Sequence, residues 1–317
     1  MDLRQLNAVL AVADHGSFSA AADALHTVQS NVSTHVARLE RDLGVSLIDR
    51  SDGCRLTEEG QAVVERARRI NGELDALVAD VAAMRAEVVG NVRIGMIGTT
   101  ARWLVPQLLA AMADRHPKVH LVVIDGVSTS LEPQLTTGHL DLAVVNLPPD
   151  PFQRPYNPGS ELMATPLFDE DLLLIVPVDH KLAGNATVAI ADTDGLELLL
   201  PAPGTAFREE IDEAVATGGA RWLPKAEIDG IRLIASLTFE GLGPAVLPAT
   251  AVPADRNGAW RAVSVDGLPC RSVGIALRRK GRPSAPVRAV ISVLEQVVED
   301  GMTERAGLHP PALPHRP

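Results

Sequence analysis

The sequence predicts three parts in series: a small winged helix-turn-helix domain over residues 1–58, a long linker helix over 59–90, and a two-lobed α/β domain. Its first lobe takes residues 91–163 and 268–300, its second 164–267, and residues 301–317 read as a disordered tail. Three observations predict this. Short apolar stretches at helical spacing lie on either side of a tight turn at His26–Thr27. An unbroken seam follows, Val63, Ala67, Ile70, Leu74, Leu77, Val81, Met84 and Val88, in alternating steps of four and three. From Asn91 the pattern changes to strands alternating with helices.

In the reader, Leu3, Leu6, Val9, Leu10 and Ala13 mark a first helix that Gly16 ends. Ser17 caps a second, with Phe18, Ala21, Ala22 and Leu25 inward. A third runs from Val28 to about Leu43, with Val32, Val36, Leu39 and Leu43 inward and Leu47 and Ile48 packed underneath. Asp49–Thr57, with Gly53 at its tip, reads as a small β-wing. On the outer, N-terminal face of the third helix stand Gln29, Ser30, Ser33 and Thr34, short or amide side chains that suit base edges in a major groove. Arg38, Arg50 and Arg55 are the candidate phosphate contacts.

Thr57 is the expected N-cap of the linker helix, with Glu58 and Glu59 in its first turn and Gly90–Asn91 as its stop. Such a helix is on the order of 45–50 Å long, and its seam points to a dimer. Charge runs against this reading. The whole chain carries −11, and residues 1–58 hold Arg4, Arg38, Arg41, Arg50 and Arg55 against Asp2, Asp14, Asp23, Glu40, Asp42, Asp49, Asp52 and Glu58. A DNA-binding surface here has to focus a few arginines on one face.

The segment ADALHTVQSNVSTHVARLERDLGVSLIDR, followed by LTEEG, resembles the N-terminal domain of the LysR-type transcriptional regulators. The resemblance extends over nearly the whole chain. It implies a winged helix-turn-helix that binds double-stranded operator DNA, a linker-helix dimer or a tetramer, and an effector domain of periplasmic-binding-protein fold. Two departures weaken the expected backbone contacts. Thr34 stands where the family commonly has a basic residue, and Ser51–Cys54 make a short wing with less positive charge.

In the sensor, Val92, Ile94 and Met96 alternate as a strand, and Gly98-Thr99-Thr100 turns into a helix ending near Pro117. Val119–Ile124 and Leu140–Val145 are the next strands, with the polar turn Gly126–Ser130 and a helix between them. Pro148–Pro158 is an irregular loop. A second set follows: strands at Leu172–Val176 and Leu196–Leu200, the turn Pro203-Gly204-Thr205 into a helix, and a strand near Ala226–Ile228. A helix comes next, then a strand within Gly241–Leu247. Arg271–Leu277 and the helix Val287–Val298 return to the first lobe, so two crossings, near 161–166 and 265–270, make a hinged clamp. Thr99, Thr100, Ser128 and Thr129 then face Gly204 and Thr205 across a cleft, each group at a helix N-terminus that favours an anion. The same hydroxyls also suit plain helix capping. The family resemblance assigns these turns to the effector pocket, with a small carboxylate as the expected ligand and a neutral molecule as the alternative.

No cofactor or metal site is expected. Cys54 and Cys270 have no ligand spacing, and no nucleophile elbow, phosphate loop or metal motif is present, which argues against an enzyme. A solute-binding protein fits the lobes but lacks an export signal, and no apolar run is long enough to span a membrane. The cysteine usage fits a reduced cytoplasm. A peroxide-sensing member of the same family would need two cysteines in the second lobe, and none lies between Leu56 and Pro269.

Overall fold

The computed structural model describes every residue except 51–53, 86, 149–155, 158, 254–257 and 313–317. It divides into two compact units, Met1–Glu87 with Thr136–His139, and Val88–Leu135 with Leu140–Pro317.

In the first unit, α1 (Leu3–His15) starts on a capping box of Asp2 and Gln5 and ends at Gly16, whose left-handed φ of 71° closes it. Ser17 caps α2 (Phe18–Ala24), and α3 (Gln29–Leu43) stops at the left-handed Gly44. Strands β1 (Ile48–Asp49) and β2 (Arg55–Leu56) pair antiparallel as the base of the wing. The wing tip, Gly53 included, lies outside the described residues. Phe18, Ala21, Ala22, Val32, Val36, Leu39, Leu47 and Ile48 form one core, whereas Leu25 and Leu43, expected inward, are exposed.

Helix α4 (Glu58–Ala83) is capped by Thr57 Oγ1, which accepts from Gly60 N at 2.9 Å. Its first half is a fourth helix of the reader. A Cβ on Gly60 would lie 2.0 Å from Leu47 O, Val64 and Ala67 are buried, and Asn71 bonds Asn7 at 2.7 Å. Two expectations are corrected here. Val63 and Ala67 belong to the reader core rather than to a free seam, because a heptad pattern does not say which surface covers it. The helix also ends seven residues before Gly90, and Val88 lies beyond it, since Gly90 already pairs with Val119 in the next sheet. Its 26 residues span about 39 Å. Ile70, Leu74, Leu77 and Val81 remain an exposed stripe, joined by Val78, and Met84 sits at the C-cap.

The second unit runs β3 (Gly90–Ile97), α5 (Gly98–Arg115), β4 (Val119–Gly126), α6 (Ser128–Thr137), β5 (Leu142–Leu147), β6 (Leu162–Pro177) and β7 (Thr187–Ala189). There follow β8 (Glu197–Pro201), α7 (Ala206–Thr217), β9 (Leu223–Ile228), α8 (Ile231–Phe239), β10 (Ala245–Pro248), β11 (Trp260–Asp266), β12 (Cys270–Arg278), α9 (Ala285–Met302) and β13 (Leu308–His309). The strands join in the order β4-β3-β5-β12-β6-β10-β8-β9, with β11 on β6 and β7, and β13 on β6. The first lobe is parallel from β4 through β3 to β5 and closes with antiparallel β12. In the second lobe β8 runs parallel to both β9 and β10, and β10 runs antiparallel to β6. The few aromatics concentrate locally, as in the T-shaped Trp103–Phe168 pair at 5.4 Å, while Val, Leu, Ile and Ala build the rest of the core.

Two further expectations change. The first crossing is not near 161–166. Leu162–Asp171 pair with β12, and Leu172–Ile175 pair with β10, so β6 passes between lobes at Asp171–Leu172 and residues 164–171 belong to the first-lobe sheet. The second crossing does lie between β11 and β12, at 267–269. Nor is the segment from Gly301 a disordered tail. Gly301 is inside α9, β13 pairs with β6, and order continues to Ala312. The last residues, 313–317, are outside the described set, as is most of the Pro148–Pro158 loop.

Candidate functional site

The burial of Val32, Val36 and Leu39 fixes which side of α3 faces out. Gln29, Ser30, Thr34 and Arg38 are exposed, and Ser33 is half-buried at the edge of that face. Ser30, Thr34 and Arg38 recur every four residues, so they form one line along the helix. Thr34 Oγ1 donates to Ser30 O at 2.7 Å, which leaves its methyl and its acceptor lone pairs outward. Val28 gives α3 no side-chain cap, so free N–H groups stay open at its positive end. Exposed Asn31, passed over in the sequence, lies on the same first turn and donates to Thr27 Oγ1 at 3.0 Å. Arg50 is held over the Phe18 ring at 5.2 Å and beside Glu40 at 3.5 Å, yet half its side chain meets solvent. Arg55 is exposed on β2.

Between the lobes, the expected polar turns differ in kind. Thr99 and Thr100 are buried under the first turn of α5, and Thr100 Oγ1 has no hydrogen-bond partner among the described residues. Ser128 Oγ accepts from Asn146 N at 3.0 Å, while Thr129 is exposed. Gly204 has a left-handed φ of 80°, which suits glycine at the turn. Thr205 Oγ1 donates to Ala202 O at 2.9 Å and accepts from Arg208 N at 3.3 Å, so this hydroxyl caps α7.

Sequence reasoning missed the side chains that connect these turns. Arg271 bonds Asn146 of the first lobe, lies 5.2 Å from the Phe207 ring of the second, and sits 3.8 Å from Glu170. Its side chain is 10% exposed and that of Glu170 fully buried. Glu170 Oε2 accepts from Thr250 N and Oγ1, at 3.1 and 2.7 Å, while Oε1 has no hydrogen bond among the described residues. Burial pushes the Glu210 carboxyl up, and the Arg271 charge opposes that shift. Arg232 of α8 pairs with Asp125 of β4 at 2.5 Å, and the Arg232 side chain covers Gly98 at the start of α5. A lone Arg in CRSVG carries no periodic signal, so only the crossing of β12 reveals its place.

Residues 3–61 match the bacterial regulatory helix-turn-helix protein, lysR family, and residues 85–299 match the LysR substrate binding domain. The chain belongs to the LysR family of transcriptional regulators. As a LysR regulator it joins a DNA-binding helix-turn-helix to an effector-binding domain. It is 31% identical, over 94% of its length and 95% of the relative's, to a "Probable hydrogen peroxide-inducible genes activator" of Streptomyces viridosporus. It is 28% identical to the DNA-binding transcriptional dual regulator OxyR of Escherichia coli strain K12, over 95% and 96% of the two chains. A full-length OxyR variant of Pseudomonas aeruginosa superposes with a TM-score of 0.72 at 25% identity, covering 100% of this chain and 99% of that one. Among the described residues, no helix of this LysR regulator is long and apolar enough to cross a membrane.

Proposed function

We propose that this LysR regulator acts in the cytoplasm as a dimer or tetramer. In this reading Gln29, Ser30, Ser33 and Thr34 read bases, Arg38, Arg50 and Arg55 hold phosphates, and a small effector binds between the lobes without being turned over. The observation that carries it is the split of α3 into a buried Val32/Val36/Leu39 side and an outward polar side with an open N-terminus. The effector would meet Thr99, Thr100, Ser128, Thr129, Gly204 and Thr205. Arg271 already faces Glu170 and Glu210, which favours a singly charged anion over a polyanion.

Peroxide sensing, as in the relatives' names, is not the reading favoured for this chain. Its two free cysteines are Cys54 in the reader and Cys270 on β12. Burial and then the charges of Asp171, Asp169 and Glu170 push the Cys270 thiol up to about 11, whereas reaction with peroxide needs a thiolate.

A gel shift on the DNA flanking its own gene tests the proposal, with and without small monocarboxylates and their amides. Sequence-specific retardation altered by a monocarboxylate is expected. Retardation indifferent to sequence contradicts the base-reading assignment, and a response to amides alone contradicts the anionic effector.

A further inference from the structure

The segment after α9 is held where the lobes meet. Asp171 N donates to Gly307 O at 2.8 Å, and Leu308 and His309 pair antiparallel with Glu170 and Asp169. His309 Nε2 lies 3.0 Å from Asp171 Oδ2, and Ala312 N donates to Asp169 Oδ2 at 2.8 Å. Arg305 Nη1 donates to Val252 O at 2.8 Å while its guanidinium lies 5.4 Å from the Trp103 ring. Leu308 is 7% exposed and belongs to the main core. Gly307 has φ of 81°, and a Cβ there would sit 3.1 Å from Ala249 Cβ, so the turn favours glycine.

What this segment grips gives it a role. Asp169–Asp171 are the last residues of β6 paired with β12, and Leu172 is the first paired with β10. Val252 follows the 3-10 turn Ala249–Ala251, through which β10 leaves the second-lobe sheet, and Thr250 in that turn is bonded to Glu170. A hinge works by backbone rotation at a few residues. Here those residues have a backbone N–H, two side chains and a neighbouring turn tied to a third segment.

We propose that residues 303–312 are a strap that fixes the angle between the two lobes and must yield before the lobes reorient. The match to the LysR substrate binding domain ends at residue 299, so the strap lies outside the matched domain. The proposal stands apart from the identity of any effector.

Hydrogen–deuterium exchange on the full chain tests it, comparing the parent with Leu308→Asp and with a deletion of residues 304–317. The informative amides are those of 125–130 and 203–209, cleft turns that the strap does not touch. At least threefold faster exchange there, with α9 residues 287–298 unchanged, is the expected result. Faster exchange confined to 168–172 and 249–252, or no change at all, overturns the strap. Should circular dichroism show either variant unfolded, the double variant Arg305→Gln/His309→Ala, which removes one part-buried and one exposed polar contact and leaves Leu308 in the core, is judged by the same two outcomes.

Discussion

Gln29 and Ser33 occupy the outward start of α3, while Arg50 sits beside the wing, and the two positions predict different losses. Alanine at Gln29 or Ser33 should cost about 1–3 kcal/mol at the preferred site and little elsewhere. Arg50→Ala should weaken binding to every sequence alike and lower the salt slope by about one. Fluorescence anisotropy on matched and scrambled duplexes at several salt concentrations separates these effects; the reverse assignment of losses would refute the roles. Thr205 makes a prediction of another kind. Because its hydroxyl both donates and accepts at the start of α7, Thr205→Val should lower stability by about 0.5–2 kcal/mol in denaturant melts, with no ligand present. Glu210 adds a pH dependence. Its folded pKa is raised, so its contribution is fully present below the unfolded carboxylate range and is lost as pH rises toward the folded value. Glu210→Gln should flatten that decline in melts taken between about pH 4 and 7. An undiminished decline would show that Glu210 does not cause it.

At the scale of elements, α4 shows what a heptad pattern can and cannot specify. The 4–3 spacing identified one long helix, but Val63 and Ala67 face the reader's own helices, while the stripe from Ile70 to Val81 and Met84 beyond it are left open. Leu77 is 62% exposed and Ala67 is fully buried. Leu74→Lys or Leu77→Lys should therefore split the oligomer and spare the fold, because an unpaired charge then enters the apolar seam. Ala67→Lys should instead unfold the reader. Sedimentation equilibrium and circular dichroism read both, and an unchanged oligomer in both Leu variants would remove the seam. The three reader helices were legible because Gly16, Ser17 and Gly44 are local signals that work in any surroundings. The end of α4 was not, since strand pairing at Gly90 determines it from 29 residues away.

The whole molecule was legible where order comes from local pattern and illegible where distant segments impose it. The sequence pattern starts a strand at Leu172. In the fold β6 starts at Leu162 and continues through Asp169-Glu170-Asp171, where Thr250, Arg271 and β13 engage its polar groups. The Pro-rich end reads as a tail because Leu308, which holds it down, has no periodic companions. Arg271 joins both lobes for the same reason, through contacts that spacing does not encode. Two outward faces of α3, paired through the α4 stripe, are expected to read two related stretches of duplex. Footprinting on the DNA flanking the gene, with the parent, Gln29→Ala and Leu77→Lys, tests it most directly. The parent should protect two-fold-related half-sites one helical turn apart, about 34–36 Å, or a multiple of it. Gln29→Ala should lose the preference for those half-sites, and Leu77→Lys should need far more protein to protect either. Identical protection by all three proteins at equal concentration would show that neither the outward face of α3 nor the α4 stripe carries recognition.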